Sequence, residues 1–319
     1  LWKNNKVGEN IHNLTVKDFS MIFDIDQNEM PLSCVNIINN RDFRYRHIDR
    51  RERDKIILEL IKRIDAEIFT KSGEGKKEKW EKGWGEIQDN FIESGYDKAA
   101  LAPQYFRSGS PIRLFGDYVR SVDDNFEKNF VDLIRAFVFD SFLKDKDNIY
   151  EFGCGSCANL LSFCEMAPEK SYYGVDWVRQ PQAIINLIRD KFHYDIHGGI
   201  FDMFYPDNDF LVQDGGVSFT LGALEQLGNR YGDFLQFLLD KPFSRHVHVN
   251  SMLEFYDTDT NLTDYIICKL ENNRNYLKGF FTKLMRMEKE KIIKIIKMVR
   301  VPCGSLLGDG YSITVWEKL

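Results

Sequence analysis

No stretch of this sequence approaches the roughly twenty consecutive apolar residues that a membrane-crossing helix needs. The amino terminus, LWKNNKVGEN, lacks the apolar run and small-residue cleavage site of a secretory signal, so the chain reads as soluble and cytoplasmic, without membrane insertion. It does not begin with Met, which is what loss of a short leader would leave. Basic residues are not in excess: 43 Lys and Arg stand against 49 Asp and Glu, for a formal net charge of −6. Phosphate backbones are gripped by clustered surplus cations, so nucleic acid is not an expected partner. Cysteines are few and scattered (Cys34, Cys154, Cys157, Cys164, Cys268, Cys303), which suits reduced thiols rather than a disulfide framework. Internal repeats and low-complexity tracts are absent. What is present is 43% hydrophobic residues in 319, enough to core one large or two medium domains.

From residue 146 onward short apolar runs alternate with longer periodic ones, as in parallel-sheet α/β proteins. Strands are expected at NIYEF, YYGVD, HGGIF, GVSFT, HVHVN, IIKIIKMV and YSITVW. Helices are expected at ANLLSFCEM, PQAIINLIRDKF, ALEQLGNRYGDFLQFLLD and TDYIICKLENNRNYLKGFFTKLMRMEKE. The link RVPCGSLLGDG is too short for a crossover helix, so the last two strands should form an antiparallel hairpin. The expected fold class is therefore α/β: a Rossmann-like seven-stranded, mostly parallel sheet with an antiparallel terminal hairpin, over residues 146–319.

Residues 1–145 differ. Helical stripes at 54–69 (Ile57, Leu60, Ile61, Ile64) and 125–143 (Phe126, Phe130, Leu133, Phe137), the latter after a capping Asp123 or Asp124, predict a mainly helical region. KSGEGKKEKWEKGWGE between them reads as a solvated loop leading into another helix. LAPQYFRSGSPIRLFGDYV mixes aromatics, arginines and turn residues without clean periodicity, as a lid or cap beside a site does.

The segment NIYEFGCGSCANLL, residues 148–161, carries the sharpest signal. Cys154 and Cys157 form a C-x-x-C pair at a helix start, where a redox motif sits, but no second pair completes a metal site, so no metal is expected. Alternatively, small residues are simply wanted in a tight turn. Gly153, Gly155 and Ala158 fit G-x-G-x-x-G/A, a backbone cradle for a cofactor, with Asp176 about twenty residues on to take a ribose. Glu151, two residues ahead of Gly153, would repel a pyrophosphate and favour a cofactor with a cationic tail.

An acid followed by a glycine turn at the first strand, an acid ending the second, and a terminal antiparallel hairpin together resemble the class I S-adenosylmethionine-dependent methyltransferases. Here these are Glu151, Gly153 and Gly155, then Asp176 in YYGVDW, then IIKIIKMV and YSITVW. The likeness covers residues 146–319, and it departs from the family pattern at Cys157, where a third glycine is usual. It implies S-adenosylmethionine as cofactor, with Gly153 and Gly155 along its methionine part, Asp176 on the ribose hydroxyls, Trp177 on the adenine and Asp202 at the adenine amino group. Trp177 could equally be a structural strand-end tryptophan and Asp202 a helix cap. Thr220 and Leu221, at the end of the fourth strand, should line the cofactor.

Methyl transfer needs in-line positioning and, for a hydroxyl nucleophile, removal of its proton. His248, at the carboxyl end of the fifth strand, is the best-placed histidine, with His246 on the same face; either could also be a hydrogen-bonded core residue. Glu225 could orient substrate or act as base, or be a first-turn glutamate stabilised by the helix dipole. Glu254 and Tyr256 are reserve candidates. Gln226 in place of a histidine speaks against a metal-dependent RNA-type site.

YEFGCG, YGVDW, GALEQLG and GSLLGDGYSITVW also resemble bacterial methyltransferases of sugars and surface-polysaccharide precursors. That likeness implies a glycan or other small-molecule acceptor. Tyr105, Arg107, Arg113, Tyr118 and Trp84 offer the aromatic and guanidinium groups that would hold a sugar and a phosphate, or that dock the cap onto the sheet. A small-molecule N- or O-methyltransferase, an NAD(P)-dependent oxidoreductase and a non-catalytic binding protein remain the alternatives.

Overall fold

The computed structural model describes residues 10–102 and 109–319. The amino-terminal region contributes strands β1 (Ile11–Asn13), β2 (Arg44–His47), β3 (Ile112–Leu114) and β4 (Asp117–Ser121). Among them run helices α1 (Val16–Phe23), α2 (Leu32–Asn40), α3 (Arg50–Asp65) and α4 (Lys77–Glu93), and α5 (Phe126–Val138) follows. The rest alternates β5 (Asn148–Phe152), α6 (Ala158–Met166), β6 (Ser171–Asp176), α7 (Gln180–Phe192), β7 (Ile196–Ile200), β8 (Val217–Leu221), α8 (Gly232–Asp240) and β9 (Arg245–Asn250). It closes with α9 (Leu262–Asn273), α10 (Phe280–Lys289), β10 (Ile293–Val299), β11 (Cys303–Gly304) and β12 (Ser312–Lys318).

The main sheet has seven strands in the order β10-β12-β9-β8-β5-β6-β7, and β12 alone runs against its neighbours. All seven expected strands are there. Their apolar runs become strands buried on both faces because helices cover both sides. Helices α5, α6 and α7 pack on one face through residues such as Phe137, Phe163 and Ile188. On the other face α8 and α10 bury Phe234, Phe237 and Leu284 beside Trp316.

Four expectations are corrected. The amino-terminal region is not simply helical: β1, β2, β4 and β3 form an antiparallel sheet completed by β11, which lies in the link between the last two strands of the main sheet. Periodicity misses such strands because, at two to five residues, they are too short to show alternation. The stretch expected to be a solvated loop is mostly α4, whose stripe of Trp80, Trp84, Ile87 and Phe91 follows helical spacing. Residues 223–240 are a short 3-10 turn (Leu224–Leu227) and α8, parted where Gly228 takes φ +59°. The long helix expected over 263–290 is two, α9 and α10, parted where Asn275 and Gly279 adopt left-handed backbone.

The amino-terminal helices share the largest core with the sheet. Phe23 of α1 stacks on Phe137 of α5 at 4.2 Å, and both belong to the apolar cluster that includes Phe219 and Val247 of the central strands.

Candidate active site

The chain leaves β5 at the point where strand order reverses, β6 lying on one side and β8 on the other. That is where a crevice opens at the carboxyl ends of parallel strands. Gly153 and Gly155 both take positive φ, +72° and +51°. A β-carbon on Gly153 would lie 2.4 Å from the Ala223 β-carbon, so the turn closes only with glycine there. The turn is pinned to the neighbouring strand: Gly153 N donates to Val175 O (2.8 Å) and Gly155 N to Asp176 Oδ2 (3.0 Å). Asp176 Oδ1 accepts from Val178 N at 3.4 Å. Burial pushes the Asp176 carboxyl up to about 6, against the pull of these backbone N–H groups.

Around this turn lies a cleft. Asp176, Trp177, Asp202 and Phe204 form one end, and Leu221, Gly222 and Ala223 one side. Trp80 and Trp84 of α4 close it from above, stacked at 5.3 Å. Asp202 Oδ1 accepts from Phe204 N (2.9 Å), so it caps its own turn while facing the cleft.

Glu151 is fully buried beneath the cleft. Its Oε1 accepts from Asn159 Nδ2 (2.7 Å), whose Oδ1 in turn accepts from Arg135 Nε (2.7 Å). Asn159 and Arg135 reach the cleft wall. Glu151 Oε2 is buried without a hydrogen-bond partner, and burial lifts its carboxyl to about 8. The Cys154 and Cys157 sulfurs lie 4.0 Å apart, both buried, and desolvation raises both thiols, which makes them poor nucleophiles. Among the described residues no three His, Cys, Asp or Glu side chains converge as a metal site.

A second cavity adjoins the first and shares Trp80, Leu221, Gly222 and Gln226 with it. Glu225 and Glu271 lie on its wall, joined through Ser251. Ser251 N donates to Glu225 Oε1 (3.0 Å) and Ser251 Oγ to Glu271 Oε1 (2.5 Å). Tyr256 Oη also donates to Glu271 Oε1, at 3.3 Å. Desolvation pushes Glu225 up to about 7 and Glu271 up to about 8, the latter helped by the charge of Glu225.

The other expected site residues lie elsewhere. His248 is wholly buried and lines neither cleft. Its Nδ1 is 2.9 Å from the equally buried Thr220 Oγ1, and its ring faces Phe280. Burial lowers its pKa to about 3, so it stays neutral as a core imidazole. Thr220, which also lines neither cleft, serves that contact. His246 stacks on Trp316 at 3.8 Å. Glu254 is exposed and accepts from Gly279 N (2.8 Å), holding the start of α10. Arg113 has no exposed surface; it pairs with Asp264 (2.6 Å) and Asp309 (2.8 Å), which Arg300 also binds. Tyr118 is buried beside it, within cation–π range at 5.7 Å. Tyr105 and Arg107 lie outside the described residues.

Two residues that sequence reasoning passed over, Trp80 and Glu271, sit at these clefts. Each had a signal. Trp80 precedes Trp84 by one helical turn, and Glu271 follows Ile267 by one turn on the buried face of α9.

The sequence matches no protein-family model and no curated protein. Solved structures similar to the chain include an rRNA methylase from Escherichia coli (13% identity, TM-score 0.44, 75% of this chain and 76% of that one). Another is geranyl diphosphate C-methyltransferase from Streptomyces coelicolor A3(2) (10%, 0.45, 73% and 98%). A third is magnesium protoporphyrin IX methyltransferase from Synechocystis PCC 6803 (11%, 0.44, 73% and 98%).

Proposed function

We propose that the protein is an S-adenosylmethionine-dependent methyltransferase that binds its cofactor in the glycine-turn cleft and its acceptor in the adjoining cavity. The observation that carries this reading is the meeting of Gly155 N and Asp176 Oδ2 at 3.0 Å, at the point where strand order reverses. A glycine turn and a carboxylate held together there suit a nucleoside with a ribose on the carboxylate.

In this reading Asp176 holds the ribose hydroxyls, Trp177, Phe204 and Asp202 surround the base, and the Gly153–Gly155 backbone follows the methionine part. Trp80 and Trp84 keep water out. When bound, S-adenosylmethionine supplies a methyl group on a sulfonium, already a good leaving group. The protein's own task is then to aim the acceptor through the opening between Trp80, Leu221, Gly222 and Gln226 and to take up its proton. Glu225 and Glu271 are the groups placed for that, in the role first considered for His248.

The acceptor we favour is a hydroxyl of a sugar or sugar-phosphate precursor of a surface glycan, handled in the cytoplasm, with residues 1–145 serving as its cap. Carboxyls beside Tyr276 and Tyr311 in the cavity suit a polyol, since they accept from hydroxyls while the rings stack. The same carboxyls support a second reading, N-methylation of an amine.

Calorimetric titration with S-adenosylmethionine, S-adenosylhomocysteine and NAD tests the cofactor assignment. Both adenosyl compounds should bind and NAD should not. NAD binding in their place would turn the reading to an oxidoreductase.

A further inference from the structure

The second cavity has charged groups of both signs on its wall. Resting on the methyltransferase reading, we infer that it selects an acceptor that is anionic at one end and carries a hydroxyl or amine at the other. The anion lies at Arg63 and Arg274, and the proton-bearing group at the Glu225–Glu271 pair.

Arg63, from α3, and Arg274, just after α9, both line the cavity and are only half-buried. Each guanidinium lies over a ring, Arg63 at 4.7 Å from Phe69 and Arg274 at 4.1 Å from Tyr276. Neither makes an ion pair with a carboxylate among the described residues, whereas Arg113, Arg120, Arg245 and Arg300 are all so paired. Stacking fixes the plane of a guanidinium and leaves its N–H edge for a ligand, the geometry that grips a phosphate or carboxylate with two parallel bonds.

The carboxyl pair lies on the same wall, near enough to Arg274 for its charge to act on Glu225. Glu225 and Glu271 are 5% and 2% exposed, and Ser251 ties them to one point of the wall. The groups that set their charge are Arg274 on the Glu225 side and Asp309, with the Tyr256 hydroxyl, on the Glu271 side. Burial of both against Ser251 disfavours ionising the two together, so near neutral pH one carboxylate can accept while one carboxylic acid donates. In the transfer step the acceptor's oxygen or nitrogen bonds to the methyl carbon. The carbon–sulfur bond breaks with its electron pair staying on sulfur, and the acceptor's proton passes to the ionised member of the pair.

Three small sulfonates whose sulfonate stays ionised across neutral pH serve as probes: ethanesulfonate, isethionate and taurine, bearing no second group, a hydroxyl and an ammonium. They are titrated into the full chain without cofactor. Isethionate or taurine should bind at least fivefold tighter than ethanesulfonate. That advantage should vanish in a Glu225→Gln/Glu271→Gln double variant, and all three should weaken at least fivefold in Arg63→Ala and Arg274→Ala. Equal binding of all three to the unaltered protein, or unchanged affinity in both arginine variants, overturns the inference. Normal S-adenosylmethionine binding by each variant shows that it folds, and keeps this result separate from any failure of the cofactor assignment.

Discussion

Trp84 packs on Gly155: a β-carbon on that glycine would lie 2.6 Å from Trp84 Cζ2. The glycine turn and helix α4 are therefore fitted to each other, and the cleft has its roof only because residue 155 has no side chain. Gly155 also takes φ +51°, where an L-residue costs about 1–2 kcal/mol. Gly155→Ala should lower stability by about that amount in urea unfolding, shift α4 outward, and weaken S-adenosylmethionine binding. Tryptophan fluorescence reports the displacement directly, since Trp80 stacks on Trp84. An unaltered spectrum with unaltered affinity would mean that α4 is not the roof.

Asp176→Ala should weaken S-adenosylmethionine binding more than tenfold, each charge-assisted hydrogen bond being worth about 1.5–3 kcal/mol. Calorimetry at pH 7.5 measures it, and equal affinity in a folded variant would remove Asp176 from the ribose. Because the Asp176 carboxyl is raised to about 6, binding to the unaltered protein should also decline as pH falls through that value, where the carboxylate becomes a carboxyl group.

Folding stability should fall as pH rises from about 6.5 to 8. Glu127, Glu151, Glu225 and Glu271 have folded-state pKa values of about 7, 8, 7 and 8, above the ordinary 4.5, so in this window the folded state holds protons that the unfolded chain has released. Their stabilisation is complete below the unfolded value and is lost as pH climbs through the folded one. His246 and His248 shift downward and act below about 6.5, leaving the window to the carboxyls. Urea midpoints should be higher at pH 6.5 than at 8, and Glu271→Gln should shrink the difference. A flat profile would mean that these carboxyls are hydrated and ionise freely.

Arg113→Ala should be destabilising, by less than the about 3–5 kcal/mol of a fully stranded buried charge, because Arg300 still pairs with Asp264 and Asp309. The guanidinium joins β3 to the link before β12, so its loss should destabilise the whole fold. Chemical denaturation checks this. A stable variant that fails only in acceptor binding would return Arg113 to the substrate site.

Cys157 occupies a left-handed position, φ 62°, at the head of α6. Cys157→Gly relieves about 1 kcal/mol of backbone strain and forfeits the packing of a wholly buried side chain. These terms oppose, so the thermal midpoint should move little and cofactor affinity should hold under reductant. Loss of binding would give the thiol a role beyond filling space.

The sequence by itself determined the seven-stranded sheet, the turn at Gly153 and Gly155, and the presence of Asp176 beside that turn. These are local: apolar runs of strand length bounded by glycine, and an acid ending the next strand, are written in neighbouring residues. It did not determine which polar residues face a cleft. His248 and Glu225 each end a strand or begin a turn, and alternation along β9 could not say that its His248 face is covered by Phe280 from α10. Arg113 looked like a substrate ligand until two aspartates, more than 150 and 190 residues away, were brought against it. Glu225 and Glu271 meet only through Ser251, because α9 packs where β9 ends. A buried charge is settled by its partners, and partners so distant in the chain are chosen by tertiary packing.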